Sequence, residues 1–291
     1  MDAPSKQVST INLIECPRDA MQGWKGFIPT KKKIEYINSL LKVGFHTIDF
    51  GSFVSPKAIP QMADTKDVIS DLDIENSKTK LLAIIANLRG AEEAIQFKQI
   101  HYLGFPFSIS ETFQQRNTNS SIDESLKTVE RIQKLCIDAR KELVVYMSMA
   151  FGNPYGDEYN STILLHWTKE IMQRGIKIIS LADTVGVASP EQISLALQAL
   201  VPNYPQIIFG VHLHSTALNW KAKIEAAFDN GCTRFDGALK GIGGCPMAND
   251  ELVGNMNTEW MISYFKEKNL LPLLDMQALK NSVTIAEEIF V

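Results

Sequence analysis

Eight short runs of mostly apolar, often β-branched residues recur along the chain: TINLIE (10–15), HTIDF (46–50), KLLAIIA (80–86), IHYLGF (100–105), ELVVYMS (142–148), IKIISLA (176–182), IIFGVHL (207–213) and TRFDGAL (233–239). Apolar character that is nearly continuous, rather than strictly alternating, suits strands buried on both faces. Longer stretches with apolar positions at helical spacing lie between them, among them KKKIEYINSLLKVG, SIDESLKTVERIQKLCIDA, STILLHWTKEIMQRG and SPEQISLALQALV. Several end in glycine and some begin with a serine that can cap a helix, and Ser121 to Glu124 has the spacing of a capping box. Strands alternating with helices predict a parallel sheet covered on both faces. Eight such units fit an α/β fold of the (β/α)8 TIM-barrel class, which takes roughly 250 residues.

The chain is longer than that, at 291 residues. The surplus is assigned to helical segments at 257–268 and 274–290, giving a barrel over about 10–255 and a C-terminal helical cap over about 256–291. An open doubly wound sheet is the alternative, but its dinucleotide-binding version needs a G-x-G-x-x-G turn after the first strand, and none is present. With no long Gly/Ser/Pro linker, charge-rich hinge or internal repeat, residues 1–291 are read as a single domain.

Composition narrows the function. The chain is 45% apolar and 21% charged with a formal net charge of -4, so it has no basic field for a phosphodiester backbone, and nucleic acid is not an expected partner. No apolar run is long enough to cross a bilayer and the N-terminal stretch lacks an apolar leader core, so no membrane partner and a cytoplasmic location are expected. Cys16, Cys136, Cys232 and Cys245 form no C-x-x-C pair and suggest neither a zinc ribbon nor a disulfide framework.

A barrel concentrates its chemistry at the C-terminal ends of its strands. Ionisable residues stand there: Arg18-Asp19 after the first run, Asp49 at the end of the second, Asp183 after the sixth, His212 and His214 at the end of the seventh, and a Gly243-Gly244-Cys245-Pro246 loop after the eighth. Because side chains alternate along a strand, His212 and His214 share a side, about 7 Å apart by strand rise. They are either two rim histidines bonded to neighbours or two ligands of one ion. With a carboxylate from another strand end and an amide oxygen, such a set suits Mg2+ or Mn2+, with Zn2+ also chemically admissible.

Asp19 is the candidate carboxylate ligand, and Arg18 offers a fixed planar cation for an oxyanion; the plainer reading of the two is a surface pair. Asp183 either takes part in catalysis or caps the following turn. Asp49 leads into Gly51-Ser52-Phe53-Val54-Ser55-Pro56, a loop able to bring the Ser52 hydroxyl and backbone N–H groups to a ligand. Cys245, on a glycine-flanked loop, is a candidate acid or base; Cys136 and Cys232 are read as packing.

Taken in order, Glu-x-Pro-Arg-Asp-x-x-Gln, Ser-Phe-Val-Ser-Pro-Lys-x-x-Pro-Gln-Met-Ala-Asp, Asp-Thr-x-Gly-Val, His-x-His and Gly-x-Gly-Gly-Cys-Pro resemble the 3-hydroxy-3-methylglutaryl-CoA lyases of the DRE-TIM metallolyase superfamily. The resemblance runs from about residue 15 to 255. It implies retro-Claisen cleavage of an acyl-CoA substrate to acetyl-CoA and acetoacetate, with a divalent cation held by Asp19, His212, His214 and Asn255. It further implies Arg18 as stabiliser of the enolate oxygen, catalytic roles for Asp49, Asp183 and Cys245, substrate contacts from Gln22 and Ser52, and a homodimer. The base is Asp183 or His212. Where the lyases read His-x-His-Asp-Thr-Tyr-Gly, this chain reads His212-Leu213-His214-Ser215-Thr216-Ala217-Leu218, so a carboxylate that would orient the second ring is missing. The alternatives are an acetyl-CoA-dependent condensing synthase of the isopropylmalate or citramalate type and a non-catalytic acyl-CoA-binding relative.

Overall fold

The computed structural model describes residues 10–244 and 253–291. All eight predicted strands form, as Asn12–Glu15, Thr47–Ser52, Lys80–Ile84, Ile100–Ser108, Glu142–Ser148, Ile178–Ala182, Ile208–His212 and Arg234–Gly237. Every neighbouring pair is parallel, and the eighth strand pairs with both the first and the seventh, closing the barrel. Side chains then divide between two environments. Those facing outward join one large core under the helices, whereas Leu82, Tyr102, Val144, Tyr146 and Ile178 pack inside the barrel as a separate cluster.

The periodic stretches fold as Thr30–Leu41, Ile122–Asp138, Ser161–Gln173 and Pro190–Leu200. Ser121 accepts the Glu124 backbone N–H, and the Glu124 carboxylate accepts that of Ser121, completing the capping box. Ser189 and Gln192 repeat the device one helix later. Helices at Thr65–Ser70, Leu88–Ala94, Glu111–Thr118 and Trp220–Asp229 belong to the expected βα units, though none of their sequences was singled out as periodic. Three of them have eight residues or fewer, too short to show a periodic stripe, and Glu111–Thr118 carries one apolar residue, Phe113.

The two C-terminal helices do different things. Thr258–Glu267 follows the eighth strand and packs Phe265 against Phe235 and Phe228, with ring centroids 5.0 and 5.9 Å apart, so it fills the place of the eighth barrel helix. Only Met276–Ile289 is surplus. It lies along Thr30–Leu41, where Phe290 meets Trp24 and Tyr36 edge-on, so the expected cap is instead one barrel helix and one added wall helix. No helix among the described residues is long and apolar enough to cross a membrane.

Candidate active site

The first strand ends at Glu15, and Pro17 opens a six-residue helix, Pro17–Gln22. A proline fits a first helical position, where the missing N–H has no partner to lose. The helix matters because it turns Arg18 and Asp19 back over the barrel mouth. Arg18 Nε and Nη2 reach Asp49 Oδ2 at 3.0 and 2.5 Å, and Nη1 reaches Asp19 Oδ1 at 2.7 Å. The arrangement is buried, with Arg18 7% exposed, which rules out a solvated surface pair. Burial works against the charge of Arg18, yet the two aspartates hold its proton more firmly than usual. Burial raises Asp49 to about 6 despite Arg18, whereas for Asp19 burial is outweighed by Arg18, His212, His214 and Asn255, which bring it down to about 2.

His212 ends the seventh strand and His214 begins a two-residue ribbon, His214–Ser215, paired antiparallel with Gly254–Asn255. Their rings lie 5.5 Å apart, nearly perpendicular. Each has its Nδ1 engaged. His212 Nδ1 lies 3.3 Å from Asp236 Oδ2, and His214 Nδ1 lies 2.5 Å from the backbone oxygen of Asp183. An acceptor at Nδ1 places the proton there and leaves the Nε2 lone pair free to bind a metal. His214 Nε2 is buried with no hydrogen-bond partner among the described residues. Burial and the neighbouring His212 lower the proton affinity of His214; for His212 burial acts in the same direction, but Asp236 and Asp19 outweigh it and raise it.

Asn255 completes the set. Its Nδ2 donates to Asp19 Oδ2 and to the backbone oxygen of Ile242, each at 2.8 Å, while its buried Oδ1 has no partner among the described residues. Ligand atoms of Asp19, His212 and His214 lie within 4.8 Å of one another. One carboxylate, two imidazoles with free Nε2 atoms and an unpaired amide oxygen fit a divalent cation. Gly243 makes room for this cluster. Its φ is +93°, and a Cβ there would stand 2.6 Å from Asn255 Nδ2 and 2.8 Å from the Asp19 carbonyl oxygen.

Asp183 Oδ1 accepts the Ala188 N–H at 2.9 Å and Oδ2 accepts from Lys223 Nζ at 2.9 Å, in a pocket where the aspartate is 2% exposed. Its carboxylate is therefore committed, and its carbonyl holds His214. Gln22 donates to Asp19 Oδ1 at 3.0 Å. Ser52 is buried; its hydroxyl accepts the Val54 N–H within its own turn, and its backbone N–H donates to the Thr65 hydroxyl at 3.2 Å. Cys245 lies outside the described residues. Cys136 and Cys232 are buried as packing residues, as is Cys16.

Three residues of the site escaped the sequence reading. Asp236 was detectable as a carboxylate inside a strand run that also carries Arg234, and Lys223 as a lysine beside the buried positions of Trp220–Asp229. Glu15 was seen at the rim, but its function was not: Oε1 accepts the Leu239 N–H at 2.8 Å and Oε2 pairs with the Thr258 hydroxyl at 2.6 Å, tying the first strand to the segments flanking the eighth loop.

Comparison with known proteins points to the family that the sequence motifs resemble. Residues 12–285 match the family described as HMGL-like. The chain is 32% identical to hydroxymethylglutaryl-CoA lyase YngG of Bacillus subtilis, over 94% of this chain and 90% of that protein. Among solved structures it is similar to the HMG-CoA lyase of Bacillus subtilis, with a TM-score of 0.90 and 31% identity, covering 96% of this chain and 93% of the other. It is also similar to an HMG-CoA lyase from Acinetobacter baumannii in complex with coenzyme A and 3-methylmalate, with a TM-score of 0.88 and 28% identity over 100% and 93% of the two chains.

Proposed function

This chain belongs to the HMGL-like family, and on that premise we propose that it is a divalent-cation-dependent carbon–carbon lyase, cleaving 3-hydroxy-3-methylglutaryl-CoA to acetyl-CoA and acetoacetate. Neither a condensing synthase nor a non-catalytic relative is favoured by the lyases it matches over nearly its whole length. The observation that carries the reading is the convergence of Asp19, His212 and His214 with two buried, unpaired donor atoms, His214 Nε2 and Asn255 Oδ1.

Asp19, His212, His214 and Asn255 would hold the cation, for which Mg2+ or Mn2+ is our assignment. When bound, it supplies positive charge that eases loss of a proton from the tertiary hydroxyl and orients the substrate. The chain's own residues do the rest. Arg18 is fixed by Asp49 and Asp19 with N–H groups to spare, so it meets the oxygen charge that develops on the departing thioester enolate without reorganising. Asp183, spoken for by Lys223 and Ala188, acts by positioning His214 rather than as the base. His212 is not assigned the base either, its Nδ1 being engaged by Asp236 and its Nε2 a proposed ligand; we assign the hydroxyl proton to Asp49, which burial raises to about 6 and whose Oδ1, unlike either Asp183 oxygen, meets only a long 3.2 Å contact from Arg18. Cys245 is assigned return of a proton to the enolate carbon, and Gln22 and Ser52 the borders of the substrate site. The homodimer and cytoplasmic location belong to the same proposal, for light scattering and fractionation to check.

The deciding assay strips divalent metal, adds back Mg2+ or Mn2+, and follows acetoacetate formed from 3-hydroxy-3-methylglutaryl-CoA. Activity is expected only with metal, and His212→Ala and Arg18→Gln should each lose at least about 100-fold, the scale of a removed transition-state donor. An inert unchanged chain that still binds CoA esters would sink the lyase reading, and undiminished His212→Ala would sink the metal centre.

A further inference from the structure

The far end of the barrel carries a cavity that the chemistry above leaves unused. Its volume is about 340 Å3, within the range of small-molecule sites. It lies where the third, fourth and fifth strands begin, at Lys80, Ile100 and Glu142, and so at the end of the barrel away from Asp19, His212 and His214. Four cationic side chains line it, those of Lys80, Lys98, Arg140 and Lys141, against a single carboxylate, Glu142. This positive charge is gathered on a chain whose formal net charge is -4.

Neighbouring acids do not take up these cations: among the described residues none of the four is in an ion pair. Two of them are held by neutral groups. Lys80 Nζ donates to the Tyr102 hydroxyl at 3.0 Å, and the buried Lys141 Nζ donates to the backbone oxygens of Phe97 and Ile100 at 2.8 and 2.6 Å, tying together the two loops that wall the cavity. Arg140 follows the helix Ile122–Asp138 and its cap residue Ala139 at a φ of +55°, a left-handed position where glycine is least strained. The carbonyls of Leu135, Cys136 and Ile137 at that helix end already accept the backbone N–H groups of Ala139, Lys141 and Arg140. Like charges gathered in this way repel one another and add nothing to the fold, but in a cleft they focus an attractive potential on an anion. Ile95, Ile100 and the Tyr102 ring supply an apolar part of the lining.

We propose that this cavity binds a small organic phosphate, at a site separate from the lyase centre. Lys98 and Arg140 meet the phosphate oxygens through charge-assisted hydrogen bonds, for which the planar fork of an arginine is well shaped. Lys80 and Lys141, already fixed by their neutral partners, add positive charge without reorganising, and Ile95, Ile100 and Tyr102 cover the organic body. The site does not depend on a cation at the other end of the barrel. A phosphate carried on a lipid headgroup has the same chemistry, and vesicles separate the two sources.

The test is calorimetric titration of the intact chain with adenosine monophosphate, pyrophosphate and adenosine, in buffer free of divalent metal. Adenosine monophosphate should bind, adenosine at least about 10-fold more weakly, and added salt should weaken the nucleotide by screening the cations. The double variant Lys98→Gln/Arg140→Gln should lose about 10- to 100-fold in nucleotide affinity, the effect of removing charge-assisted hydrogen bonds, with its circular dichroism and its acetoacetate-forming activity unchanged. In NMR spectra the nucleotide should shift the ring signals of His101, which lines the cavity, and leave those of His212 and His214 in place. The proposal is overturned if neither adenosine monophosphate nor pyrophosphate binds, if adenosine binds as tightly as its phosphate, if the folded double variant keeps full affinity, or if the shifts are confined to His212 and His214. Binding to phosphatidylserine vesicles with none to the nucleotide would overturn it too, and would assign the cations to a membrane surface.

Discussion

A missing carboxylate next to His214 is made good by a carbonyl. With Ser215 where the lyases carry an acid, the ring is held by the backbone oxygen of Asp183, whose own side chain is locked by Lys223. This gives Lys223 a measurable role. Lys223→Met leaves the Asp183 carboxylate buried and uncompensated, and should destabilise the fold by about 3–5 kcal/mol in denaturant unfolding. Glu15 couples the stability of the fold to pH. Burial raises it from 4.5 to about 8, the Thr258 and Leu239 hydrogen bonds only partly opposing this. The folded chain therefore binds this proton more tightly than the unfolded one. Its contribution to stability is complete below about 4.5 and is lost as the pH rises to about 8. Urea unfolding measured across that window should show the decline, and Glu15→Gln, which cannot ionise, should remove most of it.

Elements were legible in proportion to their length and periodicity. Ile122–Asp138 has seventeen residues, an apolar stripe and its capping box written into Ser121 and Glu124. Loss of that cap in Ser121→Ala should cost about 1 kcal/mol in thermal or denaturant unfolding, with metal affinity unchanged because the helix lies on the outer wall. Pro17–Gln22 shows the opposite case. Six residues cannot display a period, so no element was assigned there, yet the helix is what aims Arg18 and Asp19 across the mouth. The two C-terminal segments were likewise visible as helices. Their division into an eighth barrel helix and an added wall helix depended on Phe265 meeting Phe235, a contact no local pattern announces.

For the molecule as a whole, the proposed metal centre would draw its ligands from Asp19 after the first strand, His212 and His214 at and just past the end of the seventh, and Asn255 beyond the eighth, so cation binding should resist unfolding of the entire barrel. Saturation at about 100 times the dissociation constant adds about 2.7 kcal/mol. Melting of metal-stripped protein with and without Mn2+ should show a rise of several degrees, abolished by chelator and absent in His214→Ala.

At this scale the boundary between sequence and structure is clear. Eight apolar runs separated by helical stretches determined the barrel, and because a barrel gathers its strand ends at one rim, Arg18, Asp19, His212 and His214 could be named as neighbours in advance. These are consequences of period and order along the chain, which sequence carries directly. Tertiary structure alone decided which lone pairs stay free. Asp236 beside His212, the Asp183 carbonyl beside His214, and Asn255 turned so that its amide nitrogen meets Asp19 are contacts between strands and loops up to 236 residues apart. Hydrogen bonding depends on direction and on distances of a few tenths of an ångström, and those are set only when the barrel closes and the packed side chains have one arrangement left.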